Sequence, residues 1–241
     1  LQEQYSSLTP QDLNRIAWAC ASAMQYLASL DVVHRDLACR NILYCRKNSE
    51  GSNEIIVKIS DFGLTSTLEH VHGIDYKNAI EWTAPEVLKD RHAYSEKSDV
   101  WSFGVVLWEL FTNGGNPQLY ELSCQGLDEG QALNLFFEEL KEGTRLVLPE
   151  KAPELIKEII SQCWSFQPQD RPDFHTLYAL LLSLDPSDRI SVGHAEVLSP
   201  STSAGVQYSE TSGRILAIEP SNSTAASVQY SETAPNPNMH K

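Results

Sequence analysis

The sequence predicts a mainly α-helical domain with one small β element, followed by a tail without regular structure. Three observations carry this. Five segments repeat apolar residues at helical spacing, and a single pair of short β-branched runs stands among them. After Asp185 the large apolar residues thin out and Ser, Thr, Ala and Pro take over. The expected organisation is a folded unit over 1–184 and a disordered tail over 185–241.

The first helix is expected in "LTPQDLNRIAWACASAMQYLASL". Thr9 suits the N-cap, Pro10 the first helical position and Asp12 the first turn. Leu13, Ile16, Ala17, Cys20, Met24 and Leu27 recur on one face. A charged octet, "HRDLACRN" at 34–41, follows as a loop. "NILYC" and "EIIVKIS" then read as a β-ribbon, with "RKNSEGSN" as a long turn. Residues 61–86 read as mostly irregular. Helical patterns return in "SDVWSFGVVLWELFTN", "GQALNLFFEELKEG", "APELIKEIISQCWS" and "FHTLYALLLSL", punctuated by Pro149, Pro153, Pro168 and Pro172. In the tail, "VQYSET" occurs at 206–211 and again at 228–233.

The formal net charge of −14 argues against non-specific contact with nucleic acid or an anionic membrane surface. Cys20, Cys39, Cys45, Cys124 and Cys163 are odd in number and show no CxxC spacing, which fits reduced thiols rather than a disulfide or metal framework. The longest apolar stretch, "VWSFGVVLWELF", is too short to cross ~30 Å of hydrocarbon, and Glu109 interrupts it. It is expected as a helix buried in a globular core. No secretory signal, transmembrane span or lipidation motif is evident, and the chain opens on Leu1 rather than Met, as expected of part of a longer protein.

The octet alone could be a loop of solvated charges. It stands, however, with "DFG" at 61–63, "APE" at 84–86, "SDVWSFGV" at 98–105 and "CWSFQPQDRPDF" at 163–174. In this order these motifs resemble the large C-terminal lobe of the protein kinases, over about residues 8–184. "HRDLACRN" is similar to the HRDLAARN loop of the tyrosine kinases, with Cys39 in place of one Ala. The resemblance implies a protein kinase-like α+β fold, here the mainly helical lobe, and transfer of the ATP γ-phosphate to tyrosine hydroxyls. Such transfer needs positioning and charge neutralisation more than covalent chemistry.

The resemblance also implies roles for individual residues. Asp36 would orient the substrate hydroxyl and accept its proton. Asn41 and Asp61 would hold Mg2+, which prefers such hard oxygen ligands, and Leu43 would floor the adenine of ATP. Arg40 would serve the incoming phenol, since Ala38 stands where serine/threonine kinases carry a lysine; "EWTAPE" agrees, its Trp being a tyrosine-kinase trait. His34 and Phe62 would belong to a stacked apolar spine, Asp99 would hold the catalytic-loop backbone, and Glu86 and Arg171 would form an ion pair under the activation segment. Arg35 would meet a phosphorylated activation segment, with Tyr76 as the candidate switch.

Some features depart from the pattern. Tyr76 lies closer to Trp82 than the usual phosphotyrosine, Ala79 replaces a Pro, and Glu81 replaces the usual Lys or Arg where a substrate peptide should dock. No GxGxxG loop, strand-borne VAIK-type lysine or partner glutamate helix occurs. These belong to the small lobe, expected to precede residue 1, so the chain alone is expected to bind ATP weakly and to turn over negligibly.

Tyr208 and Tyr230, in identical contexts on a tethered tail, are expected as autophosphorylation sites read by phosphotyrosine-binding domains. The expected partners are tyrosine-bearing protein substrates and those readers, with no nucleic acid and no membrane contact. The expected place is the cytoplasm, or the cytoplasmic portion of a receptor. The alternative is a non-catalytic kinase-like scaffold that docks partners through its surface and tail.

Overall fold

In the computed structural model the described residues are 8–49, 52–60, 80–184 and 215–217. The first helix, α1 (Pro10–Ser29), starts where its cap residues dictate. Thr9 Oγ1 accepts from the Asp12 amide at 3.2 Å, and Asp12 Oδ2 accepts from the Thr9 amide at 2.8 Å. Two otherwise unpaired donors are thereby satisfied reciprocally. The buried face carries the expected Leu13, Ile16, Ala17, Cys20, Met24 and Leu27, together with Trp18 and Ala21. It packs on α7 (Phe174–Leu182) and on the second strand of the ribbon.

The ribbon is longer than expected. Strands β1 (Ile42–Ser49) and β2 (Ser52–Ile59) pair antiparallel from Ile42↔Ile59 to Ser49↔Ser52, so most of "RKNSEGSN" continues the ladder instead of forming a long turn. Ladder bonds are backbone bonds, and polar residues can prolong a two-stranded ribbon where no core has to be filled. The tail also departs from its expected lack of regular structure at β3 (Ile215–Ala217), an apolar trio that pairs antiparallel with β1 and gives the order β2-β1-β3. An edge strand with open N–H and C=O groups accepts such an addition. The VQYSET repeats lie outside the described residues.

Helix α3 (Glu96–Phe111) is the axis of the lobe. Ser95 caps it, its Oγ accepting from the Ser98 amide at 3.4 Å. Val100, Trp101, Phe103, Val105, Val106, Leu107 and Leu110 are all buried. A helix apolar nearly all round belongs inside a core, and α3 packs against α1 and α6 (Glu154–Cys163). Before it lies α2 (Pro85–Lys89); after it come α4 (Leu119–Ser123) and α5 (Glu129–Glu142), which ends on Gly143 at φ 100. That left-handed C-cap is where glycine has no steric cost. Cys20, Cys39, Cys124 and Cys163 are buried thiols outside any disulfide; burial pushes the Cys20 thiol up to about 12 and raises Cys163 as well. Among the described residues no helix is long and apolar enough to cross a membrane.

Candidate active site

The loop 34–41 runs between α1 and β1 and is held at both ends. At its start the Asp99 carboxylate on α3 accepts from two backbone amides, His34 N at 2.6 Å on Oδ2 and Arg35 N at 2.9 Å on Oδ1. Burial pushes Asp99 up to about 7, while those two amides pull it down. Arg35 sits at φ 72, a left-handed backbone that costs a non-glycine residue about 1–2 kcal/mol. Asp99 holds it there, and its guanidinium lies 5.6 Å from the Tyr94 ring.

His34 is fully buried, with Nε2 3.0 Å from the Ser60 carbonyl. A carbonyl only accepts, so Nε2 carries the proton, and Nδ1 accepts from the Asp36 amide at 3.3 Å. Burial lowers the imidazole's proton affinity, in keeping with this neutral tautomer. Ser60 is also tied to the loop end, its amide donating to the Asn41 carbonyl at 2.9 Å. The residue before Asp61 is thus fixed between His34 and Asn41. Asp61, Phe62 and Tyr76, expected as metal ligand, spine member and switch, lie outside the described residues, as does Ala79.

Asp36 is the focus. Its Oδ1 pairs with Arg40 Nη2, and its Oδ2 accepts from Asn41 Nδ2 at 2.9 Å. The same Asn41 nitrogen donates to the Asp36 carbonyl at 2.6 Å. A 3-10 turn over Cys39–Asn41 makes this possible by folding Arg40 and Asn41 back toward Asp36. Ala38 is fully buried, so no cation comes from that position. Leu43 follows on β1, opposite Lys58. Asn41 spends its amide nitrogen on Asp36, and its amide oxygen is the kind of hard donor that Mg2+ takes; this part of the site fits the metal the resemblance implies. Among the described residues no group of three His, Cys, Asp or Glu could by itself hold a metal ion.

The segment 80–86 closes the other side. Arg171, almost fully buried, is bidentate to Glu86, Nη1 to Oε1 at 2.7 Å and Nη2 to Oε2 at 2.8 Å. It also donates to the carbonyls of Ser165, Lys97 and Phe166. Arg171 and Arg145 both lie against the Trp101 ring, at 5.1 and 5.0 Å. Glu81 is half-buried, and its carboxylate accepts from the Leu119 and Tyr120 amides at 3.1 and 2.9 Å.

Sequence reasoning missed one residue of the site. Glu109, read only as a charge interrupting an apolar stretch, accepts on Oε2 from the Cys39 amide at 3.0 Å and from the Trp82 indole at 2.9 Å. A glutamate inside a helix buried on every side must find donors, and that was the available signal.

A helical lobe built on one buried axis, with an Asp-Arg-Asn cluster at the mouth of a short β-ribbon, is the architecture of a protein kinase large lobe. The chain belongs to the protein tyrosine and serine/threonine kinase family, whose model matches residues 1–181. It is 38% identical over 184 residues to platelet-derived growth factor receptor alpha of Takifugu rubripes, covering 75% of this chain and 16% of that protein. It is 42% identical over 183 residues to vascular endothelial growth factor receptor 2 of Danio rerio, covering 73% and 12%. The corresponding figures for receptor 1 of Gallus gallus are 40% over 174 residues, 70% and 12%. The chain therefore spans less than a fifth of the length of these curated relatives.

Proposed function

We propose that this protein is an ATP-dependent protein tyrosine kinase acting in the cytoplasm on tyrosine-bearing proteins. One observation carries the reading: Asp36 is gripped by Arg40 on one oxygen and by Asn41 on the other, with a buried Ala38 between them. An arginine four residues after the base, rather than a lysine two residues after it, puts the cation on the side from which the longer phenol would approach. Asp36 orients the phenolic hydroxyl and takes its proton as the oxygen attacks; Arg40 holds the carboxylate and lies beside the ring's path. Asn41 and Asp61 would hold Mg2+ and Leu43 would floor the adenine; bound ATP supplies the phosphoryl group, and the metal neutralises its charge.

Asp36→Asn, in a protein carrying the complete catalytic domain, is expected to lower tyrosine phosphorylation about 1,000-fold while the melting temperature stays close to that of the parent. Retained turnover would refute the role given to Asp36, whereas an unsubstituted complete domain that phosphorylates no tyrosine would favour a scaffold. The 241 residues contain no GxGxxG stretch, and alone they are expected to turn over negligibly.

Tyr208 and Tyr230 complete the proposal as autophosphorylation sites. Each phosphate adds about −1.5 to −2 charge at a repeated sequence that an Arg-bearing reader domain can grip. Mass spectrometry of the active protein should find phosphate on both, and unmodified tyrosines at both positions would count against it. Tyr76 enters as a switch through Arg35 on the same terms.

A further inference from the structure

Glu109 lies buried near the C-terminal end of α3, and the transfer step described above assigns it nothing. Its Oε2 accepts two N–H groups from separate parts of the chain. One is the backbone of Cys39, in the turn that carries Arg40 and Asn41; the other is the indole of Trp82, in the segment that leads to Glu86. Arg40 joins the two. Its guanidinium lies 4.6 Å over the Trp82 ring and pairs with Asp36 Oδ1. Ser102, two turns back along α3 from Glu109, donates from Oγ to the Trp82 carbonyl at 2.7 Å, so one helix grips both the backbone and the side chain of Trp82. Glu109, Cys39-Arg40 and Trp82 close a ring of contacts with Asp36 at its edge.

We propose that Glu109 is a positioning residue. By holding the Cys39 amide and the Trp82 indole on one oxygen, it fixes the surface on which Arg40 lies, and through Arg40 it fixes how Asp36 presents its carboxylate to a phenol. Trp82 thereby becomes the element through which the 80–86 segment acts on the base without touching it: shifting the segment withdraws the platform under Arg40. Burial pushes Glu109 up to about 7, while the Trp82 and Cys39 donors and the Arg40 cation pull it down, which is the electrostatic counterpart of the same arrangement. Only the turnover readout of this proposal rests on the tyrosine-kinase reading; the geometry does not.

The test is a mutant cycle through Arg40 in the protein carrying the complete catalytic domain. Trp82→Phe keeps an aromatic face and loses the indole N–H; it is expected to lower kcat on a tyrosine peptide about tenfold, with KM for ATP changed by less than about twofold. Glu109→Ala is expected to lower kcat at least as much. Glu109→Gln, which keeps an oxygen acceptor, should recover all but about threefold of that loss. In an Arg40→Ala background, Trp82→Phe and Glu109→Ala should lower kcat no further, because their effect passes through Arg40. Losses that multiply in that background would overturn the proposal.

A second readout is the 15N resonance of the Arg40 side chain in this chain. It should move on Trp82→Phe and on Glu109→Ala, and an unmoved resonance would overturn the proposal whatever the turnover. Should Glu109→Ala fail to fold, Trp82→Phe, which leaves Glu109 on the Cys39 amide, carries both readouts. If the unsubstituted protein phosphorylates no tyrosine, the kinase reading fails, and the Arg40 resonance still decides the positioning role.

Discussion

Asp99 and Glu109 stand on the same helix, and each holds one end of the same loop, but they hold it differently. Asp99 takes the N-terminal end with both oxygens, one for the His34 amide and one for the Arg35 amide. Glu109 takes the C-terminal end with a single oxygen, which it shares between the Cys39 amide and the Trp82 indole. Both are buried, and burial raises both to about 7. The Asp99 grip stays within the loop and maintains a strained residue. The Glu109 grip reaches across to another segment. A two-oxygen clamp sets a backbone conformation, whereas a one-oxygen junction sets the relation between two pieces of chain.

The difference predicts unequal responses to the same chemical change. Asp99→Asn replaces one accepting oxygen with an NH2 group that faces a backbone N–H, leaving a buried donor unmatched and Arg35 without its restraint. It is expected to cost about 3 kcal/mol, read as a drop in urea midpoint with little change in slope. Glu109→Gln keeps the one oxygen both donors need and should cost less than about 1 kcal/mol. Equal costs would break the distinction between clamp and junction. Gly104, midway between the two carboxylates, offers an intermediate perturbation. A Cβ there would meet Trp164 Nε1 at 2.7 Å and Cys163 Cβ at 2.8 Å, so α6 would have to move away from α3. Gly104→Ala is expected to lower stability by about 1–2 kcal/mol, overpacking outweighing the better helix propensity. Because α6 contacts neither end of the loop through these carboxylates, His34–Asn41 should keep its amide exchange protection.

Legibility in the sequence followed the range of the interaction. The start of α1 was readable because Thr9, Pro10 and Asp12 act within one turn. The buried face of α1 was readable because its period is local, and α3 could be recognised as a core helix from its long apolar run, interrupted by Glu109. Asp99, Glu86 and Arg171 came from the order of motifs rather than from any local signal, since Glu86 and Arg171 meet across 85 residues. The partners of Glu81 and the place of Glu109 in the site went unread for the converse reason. The donors of Glu81 are amides of Leu119 and Tyr120, and those of Glu109 are Cys39 and Trp82, and no periodicity marks such partners. The ribbon was cut short because its outer half is held by backbone bonds that polar side chains do not advertise. Asp61, Phe62, Tyr76, Tyr208 and Tyr230 lie outside the described residues and stay with the motifs that suggested them.

The smallest expected effect concerns protons. Glu109 and Asp99 hold their protons more tightly in the folded state than carboxyls of the unfolded chain do, because burial raises both to about 7. Between the ordinary carboxylate range and that value the native state binds more protons than the unfolded state. By linkage, stability then falls as pH rises through this window and levels off above about 7. The stabilisation is fully present below the unfolded values and is lost as pH passes the folded ones. Glu109→Gln removes one of the two contributions, so its urea midpoint should fall less between pH 5 and pH 8 than that of the parent. Repulsion from the net charge of −14 acts on both proteins nearly alike and drops out of the difference. Parallel pH profiles would mean that Glu109 is already ionised across the range. Its bonds to Cys39 and Trp82 would then outweigh its burial, and it would carry charge and not only shape to the Arg40 side of the site.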